Sequence, residues 1–382
     1  MKKINIHIFI YYLIILFPFT TIIQNVPFLQ GINKIMMFLL LSSLSIVVLF
    51  NKIKKINILV LFLTIFLYIL AFLFTKNHVE INVFFYFILW IIYFLYLDKN
   101  YLKIMEIFNG KVRQIKNFLI VWNFVVFISL FFKSSYINGY FSPFGCGEHR
   151  FGSSCILITA LNYLVIKKSN RKSYFYLSVL PFIGVCLGGA RTYLVIYIIL
   201  IISLIYLNCK KKINFYISII PICLIIFLLI YFSPIATKID NTYSNGYYGF
   251  LATLTSGRSM FWVYDMKEFF NLNIFQQFVG NGFDFIYITN LKYINREIWA
   301  HNDFINILMN FGYLGLCAYL YVFLKFCKAN IPKKGIKKIQ KFSFYFIWFF
   351  NAFFNMVYTY PLATLSLPFI LYTLCNNKFN KK

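Results

Sequence analysis

The chain has 382 residues, of which 61% are hydrophobic, 22% aromatic and only 12% charged, with a mean hydropathy of +0.75. A soluble domain carries about a quarter charged residues and about half apolar ones, so this composition excludes an ordinary water-soluble globule and points to lipid as the solvent. The net charge of +27 does not signal nucleic-acid binding, because Lys and Arg fall in short clusters between apolar runs rather than in a separate basic domain.

In chain order, apolar runs of the length needed to cross a bilayer lie near residues 6–23, 35–50, 56–74, 83–97, 118–132, 153–166, 173–188, 192–207, 213–232, 302–324, 342–357 and 362–375. Lys2 and Lys3 precede the first run, which has no small-residue cleavage site, so it reads as a retained helix and not a signal peptide. The expected fold class is an all-α integral membrane protein of about twelve spans, organised as one polytopic domain over 1–382. Both termini are expected in the cytoplasm. One large extracytoplasmic loop, 233–300, would separate spans nine and ten.

The charge distribution supports that orientation. With the N-terminus inside, the cytoplasmic segments together hold 27 of the 37 Lys and Arg residues in 65 positions, and the outer segments hold ten in 114. Adding or omitting one span would invert every downstream loop and spoil the agreement. The acids lean the other way: Glu80, Glu148, Asp240, Asp265, Glu268, Asp284 and Glu297 fall outside, with Asp303 at the outer mouth of the tenth span. The centres of the spans almost lack charge, unlike ion-coupled transporters. None of the eight cysteines forms a CxxC pair; Cys146 and Cys155 could meet outside, but packed free thiols are the preferred reading.

Within the outer segments, three positions carry chemistry. Arg191 follows Gly188 and Gly189 at the start of the eighth span, where a lone cation is costly unless it meets an anion, water or lipid headgroups. Arg258 sits at the expected N-terminus of a loop helix whose cap is Thr255 or Ser256, a poor place for a cation unless an anion bridges it. Asp265 and Glu268 are its alternative partners. His301 lies at the water boundary of the tenth span, where a neutral imidazole suits general base catalysis near pH 7, although a histidine so placed more often caps a helix or sits at an interface. Glu148, His149 and Arg150, in SPFGCGEHRFG, stand on the same side, as does Asp284. GNG at 280–282 reads as a tight turn, and Asn302 or Asp303 as a helix cap. No His/Cys/carboxylate spacing suggests a metal, and no cofactor is expected.

The motifs GGARTYL (188–194), TSGR (255–258), GNGF (280–283) and HNDFINILMNFGYLGL (301–316) resemble those of the Wzy / O-antigen ligase family of polysaccharide polymerases and ligases. The likeness covers roughly residues 180–320. The Arg-x10-Gly spacing of some polymerases is not met, since Ile202 and Phe269 stand eleven residues after Arg191 and Arg258. The resemblance implies glycosyl transfer at the outer face of a bacterial cytoplasmic membrane. The donor would be a growing O-antigen or capsule glycan on undecaprenyl pyrophosphate, and the acceptor the next lipid-linked repeat unit. It also implies Arg191 and Arg258 on the pyrophosphate and His301 as the base. Glu148, His149, Arg150, Asp284, Asn302 and Asp303 would serve substrate. Partners would be the lipid-linked oligosaccharide, membrane lipid and a chain-length regulator, with no nucleic acid. A ligase that moves finished polymer to a lipid A core and a lipid-linked oligosaccharide flippase are the alternative readings.

Overall fold

A computed structural model of the chain describes residues 5–50, 55–169, 171–208, 231, 255, 257–332 and 337–375. The expected ninth span and the loop residues before Thr255 therefore lie, apart from Tyr231, outside the described residues, as do Ser256 and both chain ends.

The described chain is helical: α1 (Ile6–Ile23), α2 (Ile32–Phe50), α3 (Lys55–Phe74), α4 (Val83–Gly110), α5 (Val112–Ser129), α6 (Glu148–Ser169), α7 (Val179–Leu187), α8 (Arg191–Asn208), α9 (Arg258–Asn271), α10 (Ile274–Val279), α11 (Phe285–Ile294), α12 (Asp303–Asn330), α13 (Lys338–Phe354) and α14 (Pro361–Cys375). A two-residue hairpin, β1 (Tyr136–Ile137) with β2 (Tyr140–Phe141), precedes α6. Six of these helices, α1 to α5 and α12, are long and apolar enough to cross a membrane. The other expected spans within the described residues also meet helices. The 173–188 span is shorter than expected, being a 3-10 stretch over Lys172–Ser178 followed by α7. Pro181 falls in the first turn of α7, where a proline's missing N–H costs no hydrogen bond, and so suits a helix start there. Conversely α4 continues well past residue 97, since Tyr101, Ile104, Met105 and Phe108 keep an apolar face buried along the extension.

The packing is that of a bundle in lipid. Helices α4, α6 and α14 form the centre, with Leu89–Leu97, Phe151–Val165 and Leu362–Cys375 buried almost throughout. Helices α3 and α5 are peripheral: Leu59, Phe62, Phe72 and Leu73 on one, and Val121, Phe124 and Phe127 on the other, stay exposed. An exposed apolar face of this extent is compatible with hydrocarbon and not with water. Core hydroxyls satisfy themselves within their own helices, as where Thr64, Thr159 and Thr373 donate to the carbonyls of Val60, Cys155 and Phe369 at 2.8–2.9 Å.

One helix is broken, and the break places the loop. Gly312 has φ 65° and ψ −166°, a conformation open essentially to glycine alone, and divides α12 into two pieces. Helix α10 fits against the gap. A Cβ on Gly312 would lie 2.4 Å from the Phe278 backbone, and one on Gly280 2.2 Å from the Asn310 carbonyl oxygen. The Asn281 N–H then donates to the Met309 carbonyl at 3.0 Å, using an acceptor near the interrupted ladder. The next turn is tied to the α3–α4 connection: Phe283 N–H donates to Thr75 Oγ1, and Lys76 and Asn77 N–H donate to Asp284 Oδ2, all at 2.7–2.9 Å. Helix α9 covers this unit, with Phe269 packed beside Ile286, Ala300, Ile305 and Met309. Its Trp262 indole donates to the Ala300 carbonyl at 2.7 Å, one residue before His301.

Candidate functional site

Three helix N-termini carry the sequence's candidate cations. Helix α6 starts after a turn that needs positive φ at Gly145 and Gly147, and Ser142 Oγ accepts from Gly147 N–H at 2.6 Å. Its first turn holds Glu148, His149 and Arg150. Helix α8 starts at Arg191, just after Gly189 at φ 63°. Helix α9 starts at Arg258, capped by Gly257 at φ 81°, while Thr255 Oγ1 accepts from Ser259 N–H at 3.1 Å.

The fold brings these three starts together. Arg258 Nη2 lies 3.2 Å from His149 Nε2. A guanidinium only donates, so this contact is a hydrogen bond when His149 Nε2 is the accepting nitrogen of a neutral imidazole. Glu148 Oε1 lies 3.5 Å from the same nitrogen, in position to take a proton from His149 once that ring is charged. Arg191 feels the charges of both Arg258 and Glu148. Burial lowers the Arg258 guanidinium from its ordinary value, opposed by the nearby Tyr360 and Glu148. Neither alternative partner proposed for Arg258 reaches it. Glu268 pairs with Lys292 at 2.9 Å and with Tyr293, and both oxygens of the buried Asp265 lack a hydrogen-bond partner among the described residues.

His301 completes the cluster. Its backbone takes φ 52°, unusual for a residue with a side chain, in the step between Ala300 and the cap of α12. Its ring centroid lies 6.0 Å from that of His149. Both imidazoles line a cavity of about 710 Å³ with Glu148, Arg150 and Asp284. The buried Asp284 has Oδ2 engaged with the α3–α4 connection, whereas Oδ1 has no partner among the described residues.

Asn302 and Asp303 have a role different from the expected substrate contact. Asn302 Oδ1 caps α12 by accepting from Phe304 and Ile305 N–H at 3.0 and 3.2 Å. Asp303 is fully buried; it accepts from Tyr319 OH at 2.7 Å and from Val357 N–H at 3.0 Å, tethering the α13–α14 connection. Neither lines the cavity. Both thiols that could have met outside, Cys146 and Cys155, are buried and free.

Sequence reasoning missed Tyr360 and His78. Tyr360 lies 5.8 Å from the His149 ring, and burial pushes its phenol up to about 12. It belongs to the short turn before Pro361, where a proline opening the last span was the available signal. His78 lines the cavity from the α3–α4 connection, and nothing local to it marks it out. Among the described residues no group of three or more His, Cys, Asp or Glu could hold a metal ion. What the arrangement offers is anion binding. Helix N-termini and guanidinium groups both favour a phosphate, and imidazoles able to move a proton stand beside them. No family model and no curated protein matches this chain.

Proposed function

We propose that the protein is a polysaccharide polymerase of a bacterial cytoplasmic membrane. It would join undecaprenyl-pyrophosphate-linked repeat units of an O-antigen or capsule by glycosyl transfer at the outer face. In this reading the chain spans the membrane twelve times with both termini inside, and the helix ends around His149 and His301 face outward. The observation that carries the proposal is the contact of Arg258 with His149 at two helix N-termini, beside a cavity that His149 and His301 line but Arg191 and Arg258 do not, with Arg191 near enough to feel the Arg258 charge. Two cations and three helix starts suit a pyrophosphate, and a histidine beside them suits an attacking hydroxyl.

The step follows from those places. A hydroxyl of the acceptor sugar attacks the anomeric carbon of the donor sugar, and the bond from that carbon to the pyrophosphate oxygen breaks. The pyrophosphate leaves with the bonding pair, its growing charge held by Arg191 and Arg258. His301 takes the hydroxyl proton. The open Oδ1 of Asp284 accepts from a sugar hydroxyl, Arg150 lies at the exposed rim, and Glu148 with His149 holds Arg258 in place.

The test is reaction of the purified protein in liposomes with lipid-linked repeat units. A ladder of lengthened glycans from wild type, lost in Arg191→Ala, Arg258→Ala and His301→Ala variants that still insert and fold, supports the proposal. Transfer of preformed polymer to a lipid A core, or passage of the lipid across the bilayer with no new glycosidic bond, would replace it with a ligase or a flippase.

A further inference from the structure

The site cavity has a neighbour. A cavity of about 1000 Å³ lies between α1, α2, α4, α14 and the α3–α4 connection, and shares residues 77–80, Tyr86, Arg150, Thr359 and Tyr360 with the first. Its size is at the upper end of the range of about 300–1,000 Å³ common for ligand pockets. Its wall keeps His78, Glu80 and Arg150 in common with the histidine cavity and adds Lys34, but it lacks His149 and His301. Carboxamides and hydroxyls dominate it, and the packing fixes which of their atoms remain for a ligand.

The Asn33 carboxamide is held by the Thr20 and Thr21 hydroxyls at 3.4 and 3.1 Å, whose single protons the Phe17 carbonyl also draws at 3.0 and 2.9 Å, which leaves the other polar atom of the amide for a ligand. Gln24 Nε2 donates to the Cys146 carbonyl at 3.2 Å, which leaves its Oε1 as an acceptor. Asn82 Oδ1 and Thr359 Oγ1 are buried with no hydrogen-bond partner among the described residues, and Thr359 as a whole is 6% exposed. Buried polar atoms are rarely left so, since each costs its full desolvation. The wall thus presents one end of the Asn33 carboxamide, two acceptors and a hydroxyl that both donates and accepts, flanked by the Tyr86 and Tyr360 rings. A sugar matches that set: each of its hydroxyls donates and accepts, and its C–H face lies against an aromatic ring. A phosphate would find no arginine pair here, and a lipid chain would leave the amides unsatisfied.

We infer that this second cavity is a carbohydrate-binding subsite, and, resting on the transfer reading above, that it holds the acceptor glycan. The shared wall at Thr359 and Tyr360 lets a sugar bound there extend its terminal hydroxyl toward His301, while the histidine and arginine cluster keeps the donor pyrophosphate. Separate seats for two glycans of the same composition are what a polymerase needs in order not to confuse its substrates.

The experiment uses the full-length protein in nanodiscs and, as probe, the host's repeat-unit oligosaccharide freed from its lipid by mild acid. Binding is followed by saturation-transfer NMR, with polymer synthesis from lipid-linked units measured in parallel. Thr359→Val keeps the shape and removes only a hydroxyl that bonds to no group among the described residues, so their packing is undisturbed. It should weaken oligosaccharide binding about ten-fold, the worth of one hydrogen bond. Asn33→Ala should do the same, and His301→Ala should bind as wild type does while making no polymer. Wild type that fails to bind the free oligosaccharide overturns the inference, as do Thr359→Val and Asn33→Ala variants that both bind normally. If binding depends on these residues but no polymer forms, the transfer reading fails and the subsite stands.

Discussion

Substituting Gly312 tests how the loop is seated. With φ 65° and ψ −166°, an alanine there meets backbone strain of about 1–3 kcal/mol. Its Cβ would also stand 2.4 Å from the carbonyl of Phe278, which is backbone and cannot swing aside. The chain's way out is to lift α10 from the break. That forfeits the hydrogen bond from Asn281 to Met309 and the burial of Val279, together about 2–4 kcal/mol. Either route costs on the order of 3 kcal/mol, roughly a hundred-fold in the opening equilibrium of the segment. Amide hydrogen exchange over residues 274–285 reads that equilibrium directly. Gly280→Ala should match it, because its Cβ meets Asn310 across the same junction. The two together should cost less than their sum, since one undocking relieves both. Gly110→Ala is the control, with ordinary φ and open space around the new methyl, and should not disturb the loop. Wild-type protection in the Gly312→Ala protein would refute the broken-helix account.

Other outcomes follow from single side chains. Asp303→Ala leaves the Val357 N–H and the Tyr319 hydroxyl buried without an acceptor and should destabilise the protein by about 3 kcal/mol or more, read as a fall in thermal midpoint in detergent. Arg258→Lys keeps the charge and loses the fork that reaches both His149 and a phosphate, so transfer should drop by about ten-fold or more with insertion unchanged, measured as initial polymerisation rate. Burial raises the Asp265 carboxyl to about 8 from its ordinary 3.8. The folded loop therefore binds this proton more tightly than the unfolded one, so its stability falls as pH rises between those values, by up to about 1.4 kcal/mol per pH unit. Asp265→Asn should remove that slope in exchange measured on α9 across the same range.

The helices could be read in the sequence because lipid demands long apolar runs and because Lys and Arg punctuate them; α1 occupies the very residues expected, 6–23. The turn at Gly280–Gly282 and the Asn302 cap were legible for a local reason, since glycine and asparagine serve backbone needs fixed within a few residues. Three candidates, Arg258, His149 and His301, meet in space although far apart in the chain, and the sequence offered for this only their common side of the bundle. Asp284 and Asp303 looked alike as acids near an expected outer edge. Packing alone separates them: Asp284 lines the cavity and has one oxygen without a partner among the described residues, and Asp303 spends both on Tyr319 and the α13–α14 connection. The wall of the second cavity was invisible for the same reason, because Asn33 and Gln24 acquire direction only when α1 and the turn before α6 hold their other atoms, and Thr359 joins them only through the fold.

The most direct test of the central claim is liposome reconstitution with radiolabelled lipid-linked repeat units supplied in the outer leaflet. The account predicts a glycan ladder from the wild-type protein and unchanged single units from Arg258→Ala and His301→Ala. Wild-type protein that leaves the units single, or variants that elongate them at the wild-type rate, would contradict it.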